Sequence, residues 1–218
     1  MDSSSCEIFQ AFLPGFEPDA APVVRGFVPK LVTPSVPSEP VVTAEASPTR
    51  FAAWPVLPVS AWPSGLTPQA RAEANVDALA AAAQVHQGQP LDDGLRTRLN
   101  QFTGWGCIPK LFAERNTSNW KGIYTRLEDL LGAKGIESAI DSVVTGFFTP
   151  PAVVDVMWQI ARHCGFDGGR VLEPAAGSGI FLGRMPADLS SLSEVTALEP
   201  DTSSHSVLSA LYGGYDNV

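Results

Sequence analysis

From Thr67 onward, apolar residues recur every three or four positions, the period of a helix with one buried face. Thr67-Pro68 predicts a helix start, because the threonine hydroxyl can cap and proline suits the first helical position. The segment RAEANVDALAAAAQVHQ follows, with an apolar stripe at Val76, Leu79 and Ala83 and a stop at Gly88. A second helix is predicted from about Leu91 to Phe102, with Leu95, Leu99 and Phe102 on one face. A third runs from about Ser118 to Leu131, carries Trp120, Ile123, Leu127, Leu130 and Leu131, and ends at Gly132. A short fourth carries Ile136, Ile140 and Val143. A fifth opens with Thr149-Pro150 as cap and first turn, points Val153, Met157, Ile160 and Cys164 inward, and ends at Gly165. These stripes read as core.

After Gly165 the pattern changes. Gly168-Gly169 is a turn, RVLEP a short apolar strand, AAGSG a glycine-rich loop and IFLGRM the start of a helix. SEVTALEP is a second strand, with the helical segment SSHSVLSALY behind it. This β-loop-α-β order opens a doubly wound, Rossmann-like α/β sheet. The expected fold class is therefore α/β: a helical segment followed by the start of that sheet, preceded by an extended proline-rich leader. The expected parts are 1–65 (leader), 66–147 (helical segment) and 148–218 (sheet-bearing part).

Composition sharpens the first part. Twelve of the 19 prolines lie in residues 1–70. Stretches such as LVTPSVPSEPVVTAEASP cannot form a helix or a central strand, since proline lacks the N–H and clashes with the preceding turn. Yet Phe9, Phe12, Phe16, Phe27, Phe51, Trp54 and Trp62 make this leader sticky. It reads either as disordered or as an arm lying along the folded part, or along a partner, in polyproline-like form.

The 218 residues leave room for one domain or one and a modest second. No run reaches the roughly 18 apolar residues of a membrane span, and MDSSSCEIFQAF makes a poor signal peptide. Cys6, Cys107 and Cys164, and His86, His163 and His205, are too scattered for a disulfide framework or a metal site. A cytoplasmic location is expected. The net charge of −9 argues against a surface built wholly for nucleic acid. The charge is uneven, however: residues 96–134 hold seven basic and three acidic side chains. Arg96, Arg98, Lys110, Arg115, Lys121, Arg126 and Lys134 are either an ordinary solvated face or a local patch that contacts the phosphates of DNA.

The most specific string is VLEPAAGSGIF, residues 171–181. Gly177 and Gly179 let backbone turn sharply and approach a ligand closely. Ser178 offers a hydroxyl, and the following helix points N–H groups at the site. Glu173, at the strand end, can accept from an ammonium group. Glu199 ends the next strand, where a carboxylate can accept both ribose hydroxyls of a nucleoside. A dinucleotide fingerprint wants a third glycine where Leu182 stands, which disfavours a nicotinamide cofactor.

The string EPAAGSGIF resembles motif I of the S-adenosylmethionine-dependent DNA methyltransferases that act on adenine N6. Gly146-Phe147-Phe148-Thr149-Pro150-Pro151-Ala152-Val153-Val154 resembles their F/Y-x-T-P-x-x-V segment, motif X, which folds over the methionine end of the cofactor. Phe102-Thr103-Gly104-Trp105-Gly106-Cys107-Ile108-Pro109-Lys110-Leu111-Phe112 resembles the F-x-G-W-G-G-L/I-x-x-x-F element of large phage and plasmid proteins that join a methyltransferase to a helicase, with Cys107 in place of a glycine. The resemblance covers roughly residues 70–201. It implies that S-adenosyl-L-methionine is held by Phe148, Thr149, Pro150, Glu173, Pro174, Ala175, Gly177, Ser178, Gly179, Phe181 and Glu199. It also implies DNA as a partner, together with a polypeptide carrying the rest of a methyltransferase and helicase.

The catalytic element of that family, Asp/Asn-Pro-Pro-Tyr/Phe, is absent. Its polar side chain and backbone carbonyl bind the target amine, and its ring stacks on the extruded base. Pro150-Pro151 is the only Pro-Pro pair, and it follows Phe148-Thr149 and precedes alanine. Only about two strands fit between Gly168 and Val218, against about six or seven in a doubly wound domain of this type. The expectation is a cofactor-binding front portion, inactive alone. The alternatives are a non-enzymatic DNA- or protein-binding module with a vestigial site and, less favoured, a dinucleotide enzyme.

Overall fold

The computed structural model describes residues 50–218. The expectations placed on residues 1–49, including Phe9, Phe12, Phe16 and Phe27, lie outside the described residues. What is described is mostly helical, with a small two-stranded parallel sheet.

Helix α1 (Pro68–His86) starts as its sequence predicts: Thr67 caps it, accepting from the Ala70 N–H, and Pro68 is its first residue. Helix α2 (Asp93–Leu99) is shorter than predicted, because the Asp92 side chain caps the Leu95 N–H and sets the start. The short α3 (Lys110–Ala113) follows the Gly-Trp-Gly turn. In α4 (Lys121–Ser142) the predicted third and fourth helices follow directly on one another, divided at Gly132 as expected by a non-helical backbone (φ +64°, ψ −179°). Trp120, Ile123, Leu127 and Ile136 are buried as their stripe requires, but Leu130 and Ile140 are exposed.

Helix α5 (Pro151–His163) departs from prediction in two ways. Pro150, extended, precedes it, so Thr149 is not its cap. The inward face is also displaced by one residue. Val154 is fully buried and Trp158 partly, whereas Val153, Met157, Ile160 and Cys164 are exposed. Apolar residues occupy most of this helix's circumference, so spacing alone does not choose the buried side. The side that packs is set by Leu57 and Ile180, which share a cluster with Val154.

The sheet pairs β1 (Gly169–Glu173) with β2 (Ser193–Ala197), Val171 opposite Val195. Helices α6 (Ile180–Arg184) and α7 (Ala187–Ser190) connect the strands, and α8 (Thr202–Tyr212) follows β2. Gly169 N–H donates to Leu192 O and Glu173 O accepts from Leu198 N–H. By the alternation of a parallel ladder, residues 169, 171 and 173 face β2, and the backbone of Arg170 and Leu172 faces the other edge. No strand lies against that edge among the described residues. Leu172 is 63 % exposed.

Residues 50–65, read as leader, are extended apart from a 3₁₀ turn at Val59–Ala61, and are not detached. Trp54 is buried and its indole N–H donates to Leu182 O at 2.8 Å. Phe51 N–H donates to Ser191 O, and Leu57 N–H to Gly183 O. Arg184 pairs with Asp155 through two nitrogens, at 2.6 and 2.8 Å, and also donates to Leu57 O. This stretch is thus the arm alternative, lying along the folded part over α6.

The main core gathers α1, α2, the Phe102–Leu111 turn, α4, α8 and Val195 of β2 around Trp54, Phe102, Trp105 and Trp120. Burying such aromatic and aliphatic side chains supplies about 1.5–3 kcal/mol each relative to exposure. Among the described residues, no helix is long and apolar enough to cross a membrane.

Candidate functional site

The glycine-rich loop runs from the carboxyl end of β1 to α6, and its shape depends on two left-handed glycines. Gly177 has φ +55° and Gly179 φ +90°, conformations that a residue with a Cβ adopts only with strain. They face opposite ways. A Cβ on Gly177 would lie 3.0 Å from the Phe148 ring; one on Gly179 would lie 2.5 Å from Tyr212 and 2.8 Å from Leu208, inside the core. Gly177 is thus the face of the loop and Gly179 its root. Ser178 is also turned inward, its hydroxyl donating to Phe102 O at 3.4 Å.

Glu199 follows β2 and closes the loop. One carboxylate oxygen accepts the Gly177 N–H at 2.6 Å, the other the Asp201 N–H at 2.7 Å. Charge-assisted bonds of this kind are among the stronger ones in proteins. A carboxylate has about four acceptor positions, so each oxygen retains capacity for a hydroxyl. Glu173 folds back on the loop and accepts from the Ala175 N–H at 3.2 Å.

Beside this loop lies a cleft of about 690 Å³, within the usual range for a small-molecule site. Of the residues implied by resemblance, Phe148, Thr149, Pro174, Ala175, Gly177, Phe181 and Glu199 line it. Glu173, Pro150, Ser178 and Gly179 do not; the last two hold the loop from behind.

The opposite wall comes from the second half of α4 and the residues just after it, where the sequence singles out Lys134 alone, as part of the basic stretch. Lys134, Glu137, Ser138, Asp141, Ser142 and Thr145 face the cleft. Their spacing of three and four is itself a helical face, legible as a polar stripe but not as a site until α4 is seen to pack beside α8. Ser138 fixes that approach: its hydroxyl donates to Asp201 Oδ1 and accepts the Thr202 N–H. Asp201 caps α8, with its other oxygen on Ser204. The charged lining is therefore Glu137, Asp141, Glu199 and Asp201 against Lys134 alone. A concave wall with that excess of carboxylates favours a cationic ligand and repels a pyrophosphate.

The basic stretch does not assemble into the same site. Arg126 pairs with Asp77, Lys110 with Glu114, and Arg98 donates to Gln84. Arg115 donates to Phe112 O and lies over the Tyr124 ring. Arg96 belongs to α2, and Lys121 opens α4. Four of these six cations thus have local partners, on α2, α3, α4 and the turn after α3, and of the seven in the basic stretch only Lys134 lines the cleft. Among the described residues no group of His, Cys, Asp and Glu could hold a metal ion.

No protein-family model, curated protein or solved structure matches the chain.

Proposed function

We propose that this chain is the S-adenosylmethionine-binding portion of a DNA adenine-N6 methyltransferase of the helicase-linked phage or mobile-element type, and that it transfers no methyl group alone. The observation that carries the reading is the cleft. A left-handed glycine loop after the first strand meets a carboxylate after the second, under a Phe-Thr segment, within walls whose charged groups are mostly carboxylates. S-adenosylmethionine carries a sulfonium and an ammonium against one carboxylate, so the acidic lining suits it. A dinucleotide, with its pyrophosphate, is the poorer fit.

In this reading the free acceptor positions of Glu199 take the ribose hydroxyls. Ala175 and Gly177, which line the cleft, approach the methionine part, Phe148 and Thr149 cover it, and Glu137 and Asp141 supply negative potential. When bound, the cofactor supplies an electrophilic methyl group on sulfur. The chain's own contribution is positioning and exclusion of water. The chemistry on the base needs an Asp/Asn-Pro-Pro-Tyr/Phe element, which the 218 residues do not contain. DNA contact through the basic stretch belongs to the same proposal and rests on the resemblance and the charge bias.

Calorimetry with S-adenosylmethionine tests the cleft. We expect micromolar affinity, about 8 kcal/mol of binding free energy, lost in Gly177→Val and no heat with NAD. Absence of binding to the intact chain would refute the reading and favour a non-enzymatic module. Labelled cofactor with mixed-sequence DNA should give no incorporation; clear incorporation would refute the inactive-alone part.

A further inference from the structure

We propose that the Phe102–Gly106 turn is the clamp that holds the Gly146–Thr149 segment across the cleft, with Asn75 as the positioning residue beneath it. The inference rests on the cofactor reading for its functional consequence, but its structural half stands independently.

Asn75 lies in the middle of α1 and is fully buried. A buried amide is costly unless its groups are paired, and here both are. Its Nδ2 donates to Gly104 O at 2.7 Å and its Oδ1 accepts the Thr103 N–H at 2.9 Å. One helical turn earlier, Arg71 donates to the Thr103 hydroxyl at 2.9 Å. The turn is therefore pinned to α1 by three hydrogen bonds from two side chains.

On its other side the turn meets the covering segment with no spare room. A Cβ on Gly104, where φ is +71°, would lie 2.4 Å from the Phe148 ring and 3.0 Å from Gly146 O. A Cβ on Gly106 would lie 2.7 Å from Gly146 O, and the Gly106 N–H donates to that same oxygen at 3.3 Å. Both glycines of the Gly-Trp-Gly string are thus accounted for by one close approach. Phe148, seated on Gly104, presents its far edge to Gly177, and Phe102 meets the same ring edge-to-face with centroids 6.0 Å apart. The contacts run Asn75, Gly104, Phe148, Gly177. A displacement of the turn would therefore move the ring that walls the nucleotide loop.

The decisive experiment is a cycle of Gly104→Ala, Phe148→Ala and the double variant in the full chain, with Asn75→Leu alongside. Two readouts are taken: hydrogen exchange of the peptide spanning Thr145–Thr149, and calorimetry with S-adenosylmethionine. A thermal melt confirms folding of each variant. We expect Gly104→Ala and Asn75→Leu to speed exchange of that peptide at least tenfold and to weaken binding at least tenfold. We expect the double variant to lose less than the sum of the two single losses, because the small side chain removes the ring part of the clash and leaves only the Gly146 O contact and the left-handed φ at position 104. Unchanged exchange in both Gly104→Ala and Asn75→Leu overturns the clamp. Faster exchange with unchanged affinity, or additive losses in the double variant, overturns its role in the site. If the intact chain binds no S-adenosylmethionine, the functional reading fails, and exchange alone decides the clamp. Should Asn75→Leu fail to fold, the Gly104–Phe148 cycle decides it.

Discussion

Trp54 offers the sharpest test of the arm, because the proline pattern around it favours looseness and the structure buries it. Two substitutions separate its contributions. Trp54→Phe keeps an aromatic ring and removes the indole N–H that bonds Leu182 O. That carbonyl also accepts the Met185 N–H, so it is not orphaned, and the loss is that of one ordinary hydrogen bond plus imperfect filling, about 1–2 kcal/mol. Trp54→Ala also removes a fully buried ring and its edge-to-face contacts with Tyr212 and Tyr215, at 6.0 and 5.8 Å. Large-to-small changes of this kind cost about 3–5 kcal/mol. For a chain of this size that corresponds to a fall in Tm of roughly 6–20 °C. Urea unfolding followed by circular dichroism measures both, and the slope of free energy against denaturant should stay constant if only the native state is affected. Stabilities of both variants within about 0.5 kcal/mol of the parent, the range of a free surface site, would refute packing of the arm.

Three further outcomes are expected. Gly179→Ala drives a methyl group against Tyr212 and Leu208 from a left-handed backbone, and should cost about 2–3 kcal/mol in urea unfolding; a neutral result would mean the root of the loop is not seated in the core. Met157→Lys, on the uncovered face of α5, should change stability by less than about 0.5 kcal/mol in a thermal melt, and a loss of several kcal/mol would restore the inward stripe that spacing suggested. Burial raises the Tyr212 hydroxyl above its ordinary pKa of 10.0, with Arg96 opposing the shift. Its folded value exceeds its unfolded one, so its contribution to stability is intact below that pH and lost as pH rises above it. Absorbance titration should show Tyr212 ionising only with unfolding, and Tyr212→Phe should delay alkaline unfolding; ionisation of all three tyrosines in the folded chain near pH 10 would contradict its burial.

The parts legible in the sequence are those decided by neighbours along the chain. Thr67-Pro68 specifies its helix start through a side chain three residues from its partner. The β1–loop–α6–β2 order is read from glycines and apolar runs a few residues long. The parts not legible are those decided by distant packing. Spacing on α5 fits two inward faces, and only contact with Leu57 and Ile180 selects Val154 over Val153 and Met157. Gly132 reads as a stop, and its non-helical backbone does divide α4 there, but that the second half then packs against α8 is not written in the spacing. The prolines around Trp54 exclude helix and central strand correctly, but they do not exclude an extended segment docked by its aromatic residue and backbone bonds.

The cleft shows the same division. Its floor, the Glu-Pro-Ala-Ala-Gly-Ser-Gly loop with Glu199, is contiguous enough for motif reading. Its far wall on α4 and its clamp at Asn75 are not, because the residues involved acquire a role only by meeting. Asn75 stands among alanines on a helix whose stripe is apolar, so sequence periodicity assigns it nothing. It becomes informative once its amide is seen to satisfy both a donor and an acceptor in a turn 28 and 29 residues away. A hydrophobic residue would fill that position without unpaired polar groups only if the turn bonded elsewhere, and Gly104 and Gly106 cannot retreat while Phe148 and Gly146 press against them. The amide at position 75 and the glycines at 104 and 106 are therefore one constraint, imposed by the approach of the covering segment. Three strings that look separate along the chain, Gly-Trp-Gly, Phe-Phe-Thr-Pro and Gly-Ser-Gly, are successive layers of a single packed stack.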